Sequence, residues 1–504
     1  MKESIKDYIK NQSLQQKFIE TICFLIGISA VIVSIRMNLV GRSLWFDEAA
    51  LAWSFSQRDF FHLTSEGLEM VQAAPVGWLY ILKIFTLLFG NTDYVLRVPS
   101  ILFYVGTLVL MYYIFRKVFP VYYPMAGVAF AASLPILLQY SNVFKPYISD
   151  CFVTLLAVIL YDRYQKGELD PLKTGIAFAV LLWFSNPLCF VAGGLIGVGG
   201  LFALIQKDFE KLKKQVIICI PLGISFVVYY FYWLRKIDDG MNGFWRDYKY
   251  LLPFSHGAIQ RDWHLTDLLF WQFYRWEYPV LLLLAVGFLV ALVKKKEMIL
   301  GIYGAFALAV FASAIGFFPV NKRMWLFIYP LITLILFELL DDVIPREEDA
   351  AFRRLCIGLV FAGVILINGG IRYYSNPANV YWPGYEVKGE LAHLRNRLRP
   401  EDRVYVCSNQ KPIFAYYNGY NMTRIWDTGN DVMVGDHDLA EGIDCTADFE
   451  FITGTGSCYI VMGDTWDEEK CYGLLFSTLE KEGTLEKVWD QYDTPLFYFK
   501  AFEQ

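Results

Sequence analysis

What this chain has little of narrows it first. Only 19% of its 504 residues are Asp, Glu, Lys or Arg, and only 5 are histidine. His62, His256, His264, His393 and His437 are scattered, with no metal-ligand spacing. No Gly-rich phosphate loop or dinucleotide fingerprint is present. No basic stripe with interleaved aromatics is present either, which argues against a nucleic-acid partner. Internal repeats and low-complexity tracts are absent. The start does not read as a removable signal peptide. Residues 1–17 are polar and of mixed charge, and the apolar segment 18–39 is too long for a signal core, so it is expected as a retained span.

What is there is apolar side chain: 56% of residues are hydrophobic and 17% aromatic, with mean hydropathy +0.37. Soluble domains rarely carry so much. Candidate spans fall at 18–39, 98–115, 122–140, 149–162, 174–185, 188–206, 216–234, 278–293, 298–318, 324–340 and 355–370. Many are long enough to cross a hydrocarbon layer of about 30 Å as helix. The expected fold class is therefore a polytopic α-helical membrane protein of about eleven transmembrane helices, with a small C-terminal extracytoplasmic α/β domain.

Lysine and arginine set the expected sidedness. The stretch 75–90 is apolar but contains Lys83. If it does not cross, and the N-terminus is cytosolic, five basic clusters fall inside. They are Arg116-Lys117, Arg163 with Lys166 and Lys173, Lys207 to Lys214, Lys294 to Lys296, and Arg346 with Arg353-Arg354. Short loops rich in Lys and Arg favour the cytosolic side. If 75–90 crosses, the same clusters face outward. The stretch is thus expected as an interfacial or re-entrant helix, leaving 40–97, 235–277 and 371–504 outside.

Two domains are expected. Residues 1–370 form the transmembrane catalytic domain, including the first external loop 40–97, and 371–504 form the external α/β domain. In the latter, the alternation at 403–407 and 497–500 predicts strands. The patterns at 386–397 and 468–481 predict helices. Cys407, Cys445, Cys458 and Cys471 lie in this part and allow three disulfide pairings in an oxidising space.

The charges beside the spans are the candidate chemistry. Asp47 and Glu48 follow the first span, and an ionised side chain beside lipid is costly. They read either as carboxylates that take a proton from, or orient, an attacking hydroxyl, or as a helix cap. Asp150 lies on the same expected face and reads as a second site acid or as the partner of Lys145. Arg97, Lys322 and Arg323 end external segments. They are suited to a phosphate, or to snorkelling toward headgroups. Trp245, Trp263, Trp271 and Trp276 form either a lipid-interface belt or a sugar-stacking surface.

Taken in order, these residues resemble the GT-C class of membrane glycosyltransferases. The nearest groups are protein O-mannosyltransferase-like and aminoarabinose- or galacturonic-acid-transferase-like enzymes. The likeness rests on Trp45-Phe46-Asp47-Glu48-Ala49, Ala74-Pro75-Val76-Gly77-Trp78, Leu96-Arg97-Val98-Pro99, Lys145-Pro146-Tyr147 with Asp150, and Arg323 with Pro330. It implies sugar transfer from a polyprenyl-phosphate carrier to an extracytoplasmic glycan, lipid or protein acceptor, with inversion. By that analogy Asp47 activates the acceptor and Glu48 and Asp150 complete the catalytic acids. Arg97, Lys145, Tyr147, Lys322 and Arg323 would bind substrate, with the last two on the donor phosphate. Two positions depart from the family pattern. Relatives often carry His-Pro-Pro or Lys-Pro-Pro at Ala74-Pro75-Val76, and Arg at Lys145, whose ammonium lacks the guanidinium fork. Relatives differ in metal use, which leaves a divalent metal open. The expected location is a bacterial plasma membrane. The alternatives are a transporter or flippase of lipid-linked glycans, and a non-catalytic receptor for envelope polymers.

Overall fold

The computed structural model describes residues 13–236, 258–270, 273, 277–343, 358, 386–436, 444–454, 456–462, 468–491 and 494–502. By packing, the chain divides into two compact units. One comprises Met1–Leu39, Ala73–Ile84 and Arg97–Ser375; the other comprises Val40–Gln72, Phe85–Leu96 and Asn376–Gln504. The expected division at 370 grouped 40–97 with the helices. By packing, 40–72 and 85–96 cluster with the C-terminal segment, and Ser43, Leu44 and Asp93 hydrogen-bond to it.

The first unit is helical. Its helices follow the apolar runs and are delimited by local chemistry. Asp170 caps the Pro171–Leu181 helix by accepting from the Lys173 amide at 2.9 Å, and Asp208 does the same for Phe209–Tyr229 through Lys211 at 2.9 Å. Prolines open Pro124–Ser133 and Pro135–Tyr140, so the candidate span 122–140 is two helices broken at Leu134. Among the described residues five helices are long and apolar enough to cross a membrane, namely Gln16–Val40, Asp93–Lys117, Leu188–Gln206, Phe209–Leu234 and Glu297–Ala314. Four shorter apolar helices accompany them, including Val76–Phe89. The candidate span 355–370 lies outside the described residues apart from residue 358, as do Trp245, Trp271 and Trp276.

Two features hold this unit together. The Leu188–Gln206 and Glu297–Ala314 helices meet backbone to backbone. A Cβ on Gly194 would stand 2.2 Å from the Ala305 nitrogen and 2.5 Å from the Gly301 carbonyl. Lipid-embedded helices associate through such small residues, because lipid offers no hydrophobic drive between them. The basic loops also gather at one end of the bundle. Lys166 reaches Asp162 at 2.7 Å, Lys294 reaches Asp342 at 2.9 Å, Lys211 pairs with Glu297, and Lys296 pairs with Glu338 and Asp342. Lys211 with Glu297 thus brings two of the basic loops together.

The C-terminal segment forms a five-stranded sheet. β1 (Arg403–Val406), β2 (Val432–Val434), β3 (Ser457–Val461), β4 (Gly483–Gln491) and β5 (Thr494–Ala501) run in the order β2-β1-β3-β5-β4. β2, β1 and β3 are parallel, with Val404 opposite Val432 and Tyr459. β5 is antiparallel to β3 and β4. Helices Val387–Arg395 and Glu468–Glu482 fall where the sequence predicts them. Cys407, Cys445 and Cys458 are core residues here, and the side chain of Cys471 lies outside the described residues.

Candidate active site

In the second unit, Asp47 and Glu48 sit in the first turn of the Phe46–Gln57 helix, where negative charge suits the helix dipole. Adjacent in sequence, they are used differently. Glu48 is fully buried and grips Arg42 with both oxygens, Nη1 donating at 2.9 Å and Nη2 at 3.2 Å. It also accepts from the Trp45 amide at 3.3 Å, which is the carboxylate half of a capping box. These bonds shape the helix entry. Asp47 is half-buried, and Gln72 Nε2 donates to its Oδ1 at 3.1 Å. The same Gln72 group bonds the Met70 carbonyl at 3.2 Å, and Met70 has φ +51°. A left-handed non-glycine residue carries strain, and here it delivers the side chain that touches Asp47.

In the first unit, Asp150 lies in the first turn of Tyr147–Gln165 and is almost completely buried. Its Oδ1 has no hydrogen-bond partner among the described residues. The Ser185 hydroxyl lies beside its carboxyl. Ser185 belongs to the break between the Leu182–Phe184 turn and the Leu188–Gln206 helix, where Ser185-Asn186-Pro187 interrupts the run. Tyr229 fastens that break by donating to Asn186 Oδ1 at 2.8 Å. Trp233 Nε1 donates to the Ala74 carbonyl at 2.8 Å, so Ala74 is bonded through its backbone.

The basic candidates of this unit lie on adjoining elements. Arg97 is fully buried, and Ser100, one turn on, donates to the Val143 carbonyl at 2.6 Å, tying that helix to the segment carrying Lys145. Lys145 is buried, and the half-buried Tyr147 packs edge-on against Tyr140 at 5.5 Å. Cys151, next to Asp150, contacts the Leu326 carbonyl at 3.4 Å, which brings the turn after Lys322 and Arg323 against the start of the Asp150 helix. Burial and the like charge of Arg323 lower the Lys322 ammonium below its usual range. An arriving anion would relieve both effects. Among the described residues no group of three His, Cys, Asp or Glu side chains is arranged to hold a metal ion.

Residues 73–233 match the family model of dolichyl-phosphate-mannose-protein mannosyltransferase. A sequence search of curated proteins finds no match. Among solved structures, ArnT from Cupriavidus metallidurans bound to undecaprenyl phosphate superposes with TM-score 0.53 at 11% identity, over 96% of this chain and 99% of that one. The chain has the GT-C fold. Apo ArnT gives TM-score 0.52 at 11% identity over 95% of this chain and 99% of that one. The Archaeoglobus fulgidus oligosaccharyltransferase tethered to an acceptor peptide gives 0.50 at 11%, over 95% of this chain and 74% of that one. A GT-C fold with five membrane-length helices makes the chain an integral membrane protein.

Sequence reasoning missed Arg42, Gln72, Ser185 and Tyr229. Only Ser185 carried a signal, since it borders a proline break inside an apolar run. Arg42 and Gln72 matter through tertiary contacts that no local pattern encodes.

Proposed function

We propose that this chain is a membrane glycosyltransferase that moves a sugar from a polyprenyl-phosphate carrier to an acceptor outside the cytosol, with inversion. The GT-C fold, shared with an ArnT crystallised with undecaprenyl phosphate, carries the reading. The carboxylates and basic residues above give it a chemistry. The acceptor oxygen or nitrogen attacks the anomeric carbon. The bond from that carbon to the phosphate oxygen breaks, and the lipid phosphate leaves with the electron pair. Asp47 orients the nucleophile and takes its proton. Lys322 and Arg323 neutralise charge building on the leaving phosphate, with Arg97, Lys145 and Tyr147 shaping the donor site. Asp150 is the second acid of the site, while Glu48 acts through Arg42 on the position of Asp47. The acceptor is a cell-envelope glycan, lipid or protein, and the active site and the α/β domain face away from the cytosol in a bacterial plasma membrane.

The test is incubation of the purified protein with a panel of polyprenyl-phosphate sugars, following release of free lipid phosphate. Release that depends on an added acceptor supports the reading. Movement of intact lipid-linked sugar across liposomes, with no phosphate released, would replace it with a flippase.

A further inference from the structure

Gly41, Ser43 and Leu44, which lead into the Asp47 helix, are each held by groups of the C-terminal segment of the same unit. Lys388 Nζ donates to the Gly41 carbonyl. The Ser43 amide donates to Glu386 Oε2 at 3.2 Å, and the Ser43 hydroxyl accepts from the Lys388 amide at 3.0 Å. The Leu44 amide donates to the Tyr417 hydroxyl at 2.8 Å. That hydroxyl in turn donates to Asp93 Oδ2 at 2.7 Å, and Lys388 Nζ reaches the same oxygen at 3.2 Å. Glu386 is itself fixed by its amide, which donates to Thr494 Oγ1 at 2.9 Å at the start of β5.

A second set of contacts reaches the far end of the helix. Tyr420 bonds Ser56 and the Ala52 carbonyl, the latter at 3.4 Å, and its ring lies 6.3 Å from that of Trp53. Tyr420 has φ +63° and follows Gly419 at +62°. Two successive left-handed residues, one of them aromatic, are a strained way to turn a chain. The turn aims the tyrosine at the helix.

We infer that the C-terminal segment is a mould for the acid-bearing helix, with Tyr417 and Tyr420 as positioning residues for Asp47. This rests on the proposed role of Asp47. Neither tyrosine needs to touch substrate: Tyr417 sets the backbone three residues before Asp47, and Tyr420 sets the axis of the helix.

The test uses the full-length protein in detergent. Release of lipid phosphate by the unsubstituted protein is measured first, and its absence removes the transferase reading without bearing on the mould. Hydrogen exchange over 41–57, together with the melting temperature, is then compared for Tyr417→Phe, Tyr420→Phe and the unsubstituted chain. Faster exchange confined to 41–57, at an unchanged melting temperature, is expected from both variants. In turnover, kcat should fall about ten- to hundredfold while KM for the donor stays within about twofold, as for a misplaced group. Lys388→Arg should retain most of the turnover that Lys388→Met loses. Unchanged exchange overturns the inference, whether or not turnover falls. Faster exchange with full turnover overturns the positioning role while leaving the transferase reading in place.

Discussion

Residues 41–57 and residues 141–150 both bury acids, and they meet them in opposite ways. Around Asp47 and Glu48 the chain supplies donors: Arg42 and the Trp45 amide for Glu48, and Gln72 for Asp47. At Asp150 one carboxyl oxygen has no partner among the described residues, although the side chain is only 5% exposed. A buried acid left short of hydrogen-bond partners costs about 1–3 kcal/mol that the fold does not recover. Bonds at the first segment go into shape. At the second, an acid is kept despite its cost, which in the proposed reaction assigns it to the substrate.

The largest expected effect separates Asp47 from its neighbour. Asp47→Asn should lower turnover about 10²–10⁴-fold, the usual worth of a general base, at an unchanged melting temperature. Glu48→Gln should instead cost about 3 kcal/mol of stability, because it strands a buried Arg42, and denaturant unfolding in detergent would read it. Full stability of Glu48→Gln together with lost turnover would erase the distinction between the two. Next in size, Asp150→Asn should cut turnover about a hundredfold while keeping or raising the melting temperature. A melting temperature several degrees lower would make Asp150 a structural acid like Glu48.

The smallest effect belongs to Glu390, in the α/β segment. It is fully buried, and burial pushes its carboxyl well above the ordinary glutamate range. The folded form thus holds this proton after the unfolded chain has released it. The contribution to stability is complete below the ordinary glutamate value and is lost as pH rises through the folded one. Glu390→Gln should leave the unfolding temperature nearly unchanged near pH 4. At pH 8 it should raise that temperature by roughly a few degrees. An equal shift at both pH values would mean that the folded acid titrates normally.

Much of the helical layout is legible in the sequence, because long apolar runs and a breaking proline such as Pro187 act over a few residues, whereas the break before Pro135 goes unread inside the apolar run 122–140. The strand at 403–406 and the helices at 387–395 and 468–482 are legible for the same reason. The GT-C likeness likewise follows from short segments around Asp47, Pro75, Lys145 and Arg323. The different uses of Asp47 and Glu48 are not legible, since Gln72 and Arg42 reach them through space. Nor is the grouping of 40–72 with the C-terminal segment, which depends on Glu386, Lys388 and Tyr417.

Ser43 and Glu386 are 343 residues apart, and Leu44 and Tyr417 are 373 apart. At a synthesis rate of about 5–20 residues per second, the helix entry waits roughly 20–75 seconds after leaving the ribosome before Tyr417 exists to bond it. Glu386 is anchored later still, once Thr494 has been made. The segment bearing the first acid is therefore made well before the residues that lock it. A ribosome that stalls before residue 417 leaves that helix entry without the Tyr417 bond.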